Sequence, residues 1–99
     1  MAAVRRWNLN EAEGRYAMTN VAESLIDLHF GMKRTDGRQV PVGRFRLNLE
    51  LLSRTGFVTK RQVGSSAVYD VQIYRLRDGS FVLGVRQDQT TPLAQYAAR

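Results

Sequence analysis

The chain has 99 residues and a mass of 11.3 kDa, enough for one domain with a thin hydrophobic core. It contains no cysteine and one histidine, which excludes disulfides, thiolate nucleophiles and a metal site built from several histidines of one chain. The mean hydropathy is −0.35 and apolar runs are short, so we expect no transmembrane helix, no secretory signal and a cytoplasmic location.

The positive charge is concentrated in the central third of the chain. The formal net charge is +6, from 15 basic and 9 acidic residues. Residues 33–61 account for that whole surplus, whereas the charges of segments 1–32 and 62–99 cancel each other. Thirteen of the 15 basic residues are arginine, whose planar guanidinium suits phosphate and carboxylate groups. The pattern is typical of a polyanion-binding protein, although arginines that only solvate an outer face give the same composition.

The N-terminal part of the chain has weak strand patterns. Residues 6–9 and 15–18 each combine a large apolar residue with polar neighbours, which indicates two short strands. Residues 11–14 are mostly small or acidic and are predicted to connect them.

Residues 20–32 fit two structures. Every second position is apolar toward the end of the segment, which favours a strand over residues 25–33. Asn20 and Glu23 have the spacing of a capping box and precede an apolar stripe at helical spacing, which favours a helix. We predict the strand and keep the helix as the alternative.

A hairpin and a strongly alternating strand are predicted next. Asp36 and Gly37 indicate a hairpin turn, because glycine adopts the positive φ that such turns need. Residues 44–51 alternate strictly between polar and apolar, which predicts a half-buried strand. A helix over residues 44–54 is the alternative. The apolar face of the predicted strand consists of Phe45, Leu47, Leu49 and Leu51.

The clearest predicted unit is a hairpin formed by residues 68–76 and 81–86. Both segments alternate and are rich in β-branched and aromatic residues. Asp78 and Gly79 lie between them and supply a second turn signature.

Shorter elements complete the prediction. Residues 57–62 indicate a short strand, followed by a polar loop at residues 63–66. Thr91 is a candidate N-cap and Pro92 a candidate first residue of a helix over residues 93–98.

Together these elements predict a mainly β protein. We expect a small antiparallel, meander-like curved sheet or partial barrel with one or two short helices. The class becomes α+β if residues 20–31 are helical. No linker or internal repeat interrupts the chain, so residues 1–99 are predicted to form a single domain.

Catalytic chemistry is not expected. His29 would share a strand face with Asp27, and Ser24 lies just outside that strand, but a lone histidine beside a carboxylate is more often a structural pair. Asp36 and Asp78 are explained as turn residues. No nucleotide-binding, zinc-protease or calcium-binding motif occurs. We therefore predict a binding protein without a cofactor.

The predicted binding surface combines the polar face of strand 44–51 with the hairpin before it. Pairing of the following strand would bring more basic residues alongside, and an outward tyrosine could stack on a base. The candidate residues for binding DNA or RNA are Lys33, Arg34, Arg38, Arg44, Arg46, Lys60, Arg61 and Tyr74.

A protein-interaction module is the alternative function. A small basic β domain with exposed strand edges can recruit an acidic protein partner or form a homodimer by edge pairing. Compact regulators and inhibitors of this kind are typical of plasmids, phages and bacterial operons. Neither interpretation involves a membrane.

Overall fold

The computed structural model describes residues 12–33 and 36–98, which form mostly antiparallel strands. The predicted strand at residues 6–9 and the candidate residue Arg34 lie outside these ranges. The elements are β1 (Ala12–Val21), β2 (Leu25–Lys33), β3 (Gln39–Asn48), α1 (Leu49–Arg54), β4 (Thr59–Val63), β5 (Ser66–Leu76), β6 (Phe81–Arg86), β7 (Gln89–Pro92) and a 3-10 helix (Leu93–Tyr96).

The described strands form two antiparallel sheets. Strands β2 and β3 form a two-stranded sheet, called the ribbon below, and the other five form a larger sheet with the path β1-β5-β6-β7. Strand β4 pairs with β5 on the edge opposite β1, since Tyr69 is in register with both Val21 and Lys60. The predicted mainly β class is confirmed, and the described strands form two sheets and not a closed barrel.

The core lies between the ribbon and the larger sheet. Phe30 of the ribbon packs edge-on against Tyr16 and Phe81 of the sheet, with ring centroids 4.7 and 5.0 Å apart. Alternate residues of β3 and β5 point into this layer, as the period of a strand requires. The most buried residues are Leu47, Leu49, Val71, Ile73, Leu83 and Leu93.

The two predicted hairpins are confirmed. Strands β2 and β3 pair across Asp36 and Gly37, and β5 and β6 pair across Asp78 and Gly79. Both glycines have a φ near +88°, the left-handed conformation that favours glycine in such turns (87° at Gly37 and 88° at Gly79). The predicted strand over residues 25–33 is therefore confirmed against the helical alternative.

Residues 44–51 do not form one continuous strand. Strand β3 ends at Asn48, whose side-chain oxygen accepts a hydrogen bond of 3.1 Å from the backbone N–H of Leu51. This contact is an N-cap, and it starts α1 at Leu49. Leu51 consequently points outward and leaves the predicted apolar face, whereas Leu49 stays buried.

Three other predicted boundaries also differ. Strand β1 runs continuously through residues 12–21, so residues 12–14 do not form the predicted connection. Thr91 belongs to strand β7 and is buried, and the following 3-10 helix ends at Tyr96 without a side-chain cap. The strand predicted at residues 57–62 is observed as β4, shifted by two residues at its start.

Candidate nucleic-acid interface

The outward face of the ribbon carries the central candidates. Phe45 and Leu47 point into the core, so Arg44 and Arg46, which alternate with them along β3, are exposed. Arg38 is exposed at the hairpin end of the same ribbon. The structure therefore places these three arginines along one connected element.

Arg46 forms an ion pair with Asp27, its cross-strand neighbour. The Arg46 Nε lies 2.8 Å from the Asp27 Oδ1, and the two side chains are 64% and 58% exposed. The hydrogen bond from Arg46 lowers the pKa of Asp27 below its usual value. Because the pair is open to water, its guanidinium remains accessible to a ligand.

Arg44 and Arg38 have no such carboxylate. Within residues 12–33 and 36–98, neither side chain lies in an ion pair. Arg44 is in register with His29, and the Arg38 backbone N–H donates a 3.0 Å hydrogen bond to the Asp36 Oδ1 in the turn. Two of the predicted arginines therefore present their charge to solvent.

A cleft of about 340 Å³ lies beside Arg44. His29, Arg44 and Arg46 line it together with the C-terminal residues, which run along β3: the Ala98 N–H donates a 2.7 Å hydrogen bond to the Arg44 carbonyl. Asp27 is the one carboxylate in the described lining, and Arg46 already binds it. The cleft is thus a small basic recess in the ribbon face.

Lys60 does not join this face. It lies on β4, which pairs with β5 of the larger sheet and not with β3. Its Nζ is 2.8 Å from the Glu50 Oε2, which also accepts a 2.6 Å hydrogen bond from the Tyr69 hydroxyl. These hydrogen bonds from Lys60 and Tyr69 lower the pKa of Glu50 to about 2. Lys60 thus links β4 to α1.

Arg61 likewise forms its contacts within the larger sheet. Its Nε lies 2.8 Å from the Asp70 Oδ2 and its Nη2 lies 3.2 Å from the Asp70 Oδ1, and Nη2 also donates to the Asn20 side chain. The Asn20 backbone N–H donates a further 3.0 Å hydrogen bond to Asp70. Asn20 adopts a φ of 56°, a left-handed conformation that asparagine tolerates better than most residues. Strands β1, β4 and β5 are joined at this cluster.

Tyr74 does not offer an exposed ring for stacking. It is only 2% exposed and packs with Val82 and Leu76 on the far face of β5. Its hydroxyl donates a 2.6 Å hydrogen bond to the Gln72 side chain, and burial raises its pKa. The predicted face of Asp70, Gln72 and Tyr74 is therefore partly buried.

His29 and the C-terminal residues were missing from the predicted surface. His29 lies opposite Arg44 because the register of the ribbon shifts by one residue between Phe30 and Gly31, a bulge that the turn signature does not indicate. Nothing in the sequence near Ala98 indicates that it runs beside β3. The side chain of Lys33, at the end of β2, is not among those described.

Clusters of metal ligands and membrane-spanning helices are two further features that the described ranges could contain. No group of three or more His, Asp or Glu side chains there is placed to hold a metal ion. No helix within residues 12–33 and 36–98 is long and apolar enough to span a bilayer.

Neither a protein-family model, nor a curated protein, nor a solved structure matches this chain. Its function has to be inferred from its own residues. The ribbon face is the surface on which exposed arginines are most clearly free of internal ion pairs.

Proposed function

We propose that this protein binds nucleic acid through the outward face of the ribbon and its hairpin end. The observation that carries the proposal is that Arg38 and Arg44 are exposed on this element and form no ion pair within the described ranges. Arg46 adds a third accessible guanidinium. Arginine forms strong, directional hydrogen bonds with phosphate oxygens, so this surface suits a phosphate backbone.

The shape of the ribbon favours duplex DNA over a single strand. A two-stranded antiparallel ribbon fits the major groove of B-form DNA, which is about 12 Å wide. Single-strand binders use aromatic rings as stacking platforms. The exposed outward positions described on the ribbon carry no Phe, Tyr or Trp, and those that flank the three arginines include Asp27, His29 and Asn48. We therefore expect contacts mainly to the phosphate backbone, with weak dependence on base sequence.

The proposed interface contains fewer residues than the sequence pattern predicts. Lys60 and Arg61 lie on the larger sheet and not on the ribbon, and their side chains, at 41% and 43%, are less exposed than that of Arg46 at 64%. Tyr74 is excluded because its ring is buried. The core of the interface thus consists of Arg38, Arg44 and Arg46.

Salt-dependent titration of the wild-type protein tests this proposal. Fluorescence anisotropy of a labelled duplex and of one of its strands is followed at salt concentrations from about 50 to about 200 mM. We expect tighter binding to the duplex and a log–log slope of about −0.9 for each neutralised phosphate, or about −2.7 for three contacts. Absence of duplex binding at the lowest salt concentration would refute the proposal.

A further inference from the structure

An apolar groove lies at the end of the ribbon that is farther from the hairpin turn. Leu25 at the start of β2 and Leu51 in α1 are large aliphatic side chains that are 57% and 55% exposed. Both line the groove, which has a volume of about 380 Å³. An exposed apolar recess of this kind is a common feature of binding sites.

The walls of the groove are suited to an apolar side chain. Leu52 is almost fully buried, and the half-buried rings of Phe57 and Tyr96 form further apolar surface. The Tyr96 hydroxyl lies 3.1 Å from the Thr91 hydroxyl, so its polar end has a partner within the protein. The groove therefore presents mainly ring and methyl surface to a ligand.

The charges around the groove are basic. Arg46 is the one charged residue in its described lining, and its exposed guanidinium also contacts Asp27, which lies outside the groove. Arg54 lies three residues after Leu51 in α1, a spacing that puts both on the same side of a helix. The contact of Arg54 with Glu50 is long, at 3.4 Å, and most of its side chain is in water. Arg46 in the groove wall, with Arg54 on the same helix as Leu51, complements an acidic ligand.

We propose that this groove binds an acidic peptide segment of a partner protein, with one large apolar side chain in the recess and carboxylates on Arg46 and Arg54. The site shares Arg46 with the proposed nucleic-acid interface, but its apolar recess takes no part in that interface. Phosphate backbone offers nothing that would fill the apolar recess, which favours a peptide. A second copy of this chain is disfavoured, because each copy carries a net charge of +6.

Two labelled peptides test the proposal. The probe is Asp-Glu-Leu-Phe-Glu-Asp, and its matched control replaces the two apolar residues by serine at the same charge. We expect the probe to bind more tightly and to shift the backbone amide NMR signals of Leu25, Leu51 and Thr55. Failure of the probe to bind, or equal binding of both peptides, overturns the proposal.

Two lysine variants distinguish binding in the groove from attraction by the net positive charge of the protein. Leu51→Lys adds a positive charge but blocks the recess, so we expect it to weaken probe binding about tenfold, equivalent to about 1.4 kcal/mol. Val63→Lys is the matched control, since Val63 is 52% exposed on β4 and outside the groove. If Leu51→Lys binds the probe as tightly as Val63→Lys does, the groove is not the site. Duplex DNA binding is measured on the same samples and should survive Leu51→Lys, so failure of one proposal can be told from failure of the other.

Discussion

The Tyr69 hydroxyl donates a 2.6 Å hydrogen bond to the Glu50 Oε2, the same oxygen that Lys60 contacts at 2.8 Å. Tyr69 is almost fully buried in β5, whereas Glu50 lies in the first turn of α1. The contact therefore ties the short helix to the larger sheet. The hydrogen bond from Lys60, followed by that from Tyr69, lowers the pKa of Glu50 from 4.5 to about 2.

This depressed pKa predicts a stability change at acidic pH. The unfolded chain binds a proton at Glu50 near pH 4.5, whereas the folded protein resists protonation until about pH 2. The contribution of Glu50 is complete above pH 4.5 and is lost as the pH falls toward 2. Urea midpoints of wild type and Glu50→Gln should therefore converge between about pH 6 and about pH 3. A difference that stays constant over this range would contradict the assignment.

Removing the Tyr69 hydroxyl should weaken the same link. Tyr69→Phe keeps the buried ring but deletes the donor to Glu50, and hydrogen bonds to charged groups are stronger than neutral ones. We expect the melting temperature to fall by about 5 °C. Tyr96→Phe is the control, because within the described ranges the Tyr96 hydroxyl contacts the neutral Thr91 hydroxyl and no charged group. An equal loss in both variants would show that the charged acceptor is unimportant.

Arg61 is predicted to act in stability and not in binding. Arg61→Gln removes the two-point contact with Asp70 and leaves that carboxylate with the Asn20 N–H. We expect the melting temperature to fall by about 5 °C, while duplex affinity changes less than about threefold. Arg54→Gln, which loses one long ion pair, is the stability control. If Arg61→Gln loses much of its affinity for the duplex without losing stability, Arg61 contacts the duplex and this prediction is wrong.

The change from strand to helix at Asn48 predicts opposite results for two leucines. Leu47 is fully buried in β3, whereas Leu51 is 55% exposed in α1. Leu47→Ala should lower the free energy of unfolding by about 2–5 kcal/mol, through lost burial and the cavity left behind. Leu51→Ala should change it by less than about 0.5 kcal/mol. Equal destabilisation, measured by urea unfolding, would favour one continuous strand over residues 44–51.

The local elements of this fold were largely predictable. Asp36 with Gly37 and Asp78 with Gly79 mark turns by the backbone conformation that glycine allows, and the alternating residues around them identify the paired strands. The choice of strand over helix for residues 25–33 follows from the same turn, since β2 has β3 as its partner. In these segments the turn residues and the alternation of polar and apolar residues agree with the observed strands.

The arrangement of these elements could not be predicted. Leu49 shares a strand face with Leu51 and a helix face with Leu52, and the cap at Asn48 decides between them. The pairing of β4 with β5 instead of β3 depends on which edges meet in the folded core. Because β4 pairs with β5, Lys60 and Arg61 lie outside the predicted interface. Tyr74 also lies outside it, because its face of β5 is buried.

Duplex affinity of a double variant tests the central claim most directly. Arg38→Gln with Arg44→Gln removes two positive charges from the ribbon, and Arg54→Glu changes the net charge by the same amount on α1. If the ribbon binds duplex DNA, the double variant should lose roughly tenfold or more in affinity, and its log–log salt slope should be shallower by about 1.8, while Arg54→Glu keeps the wild-type slope. Equal losses in both variants would mean that only net charge matters, and an unchanged double variant would contradict a binding face on the ribbon.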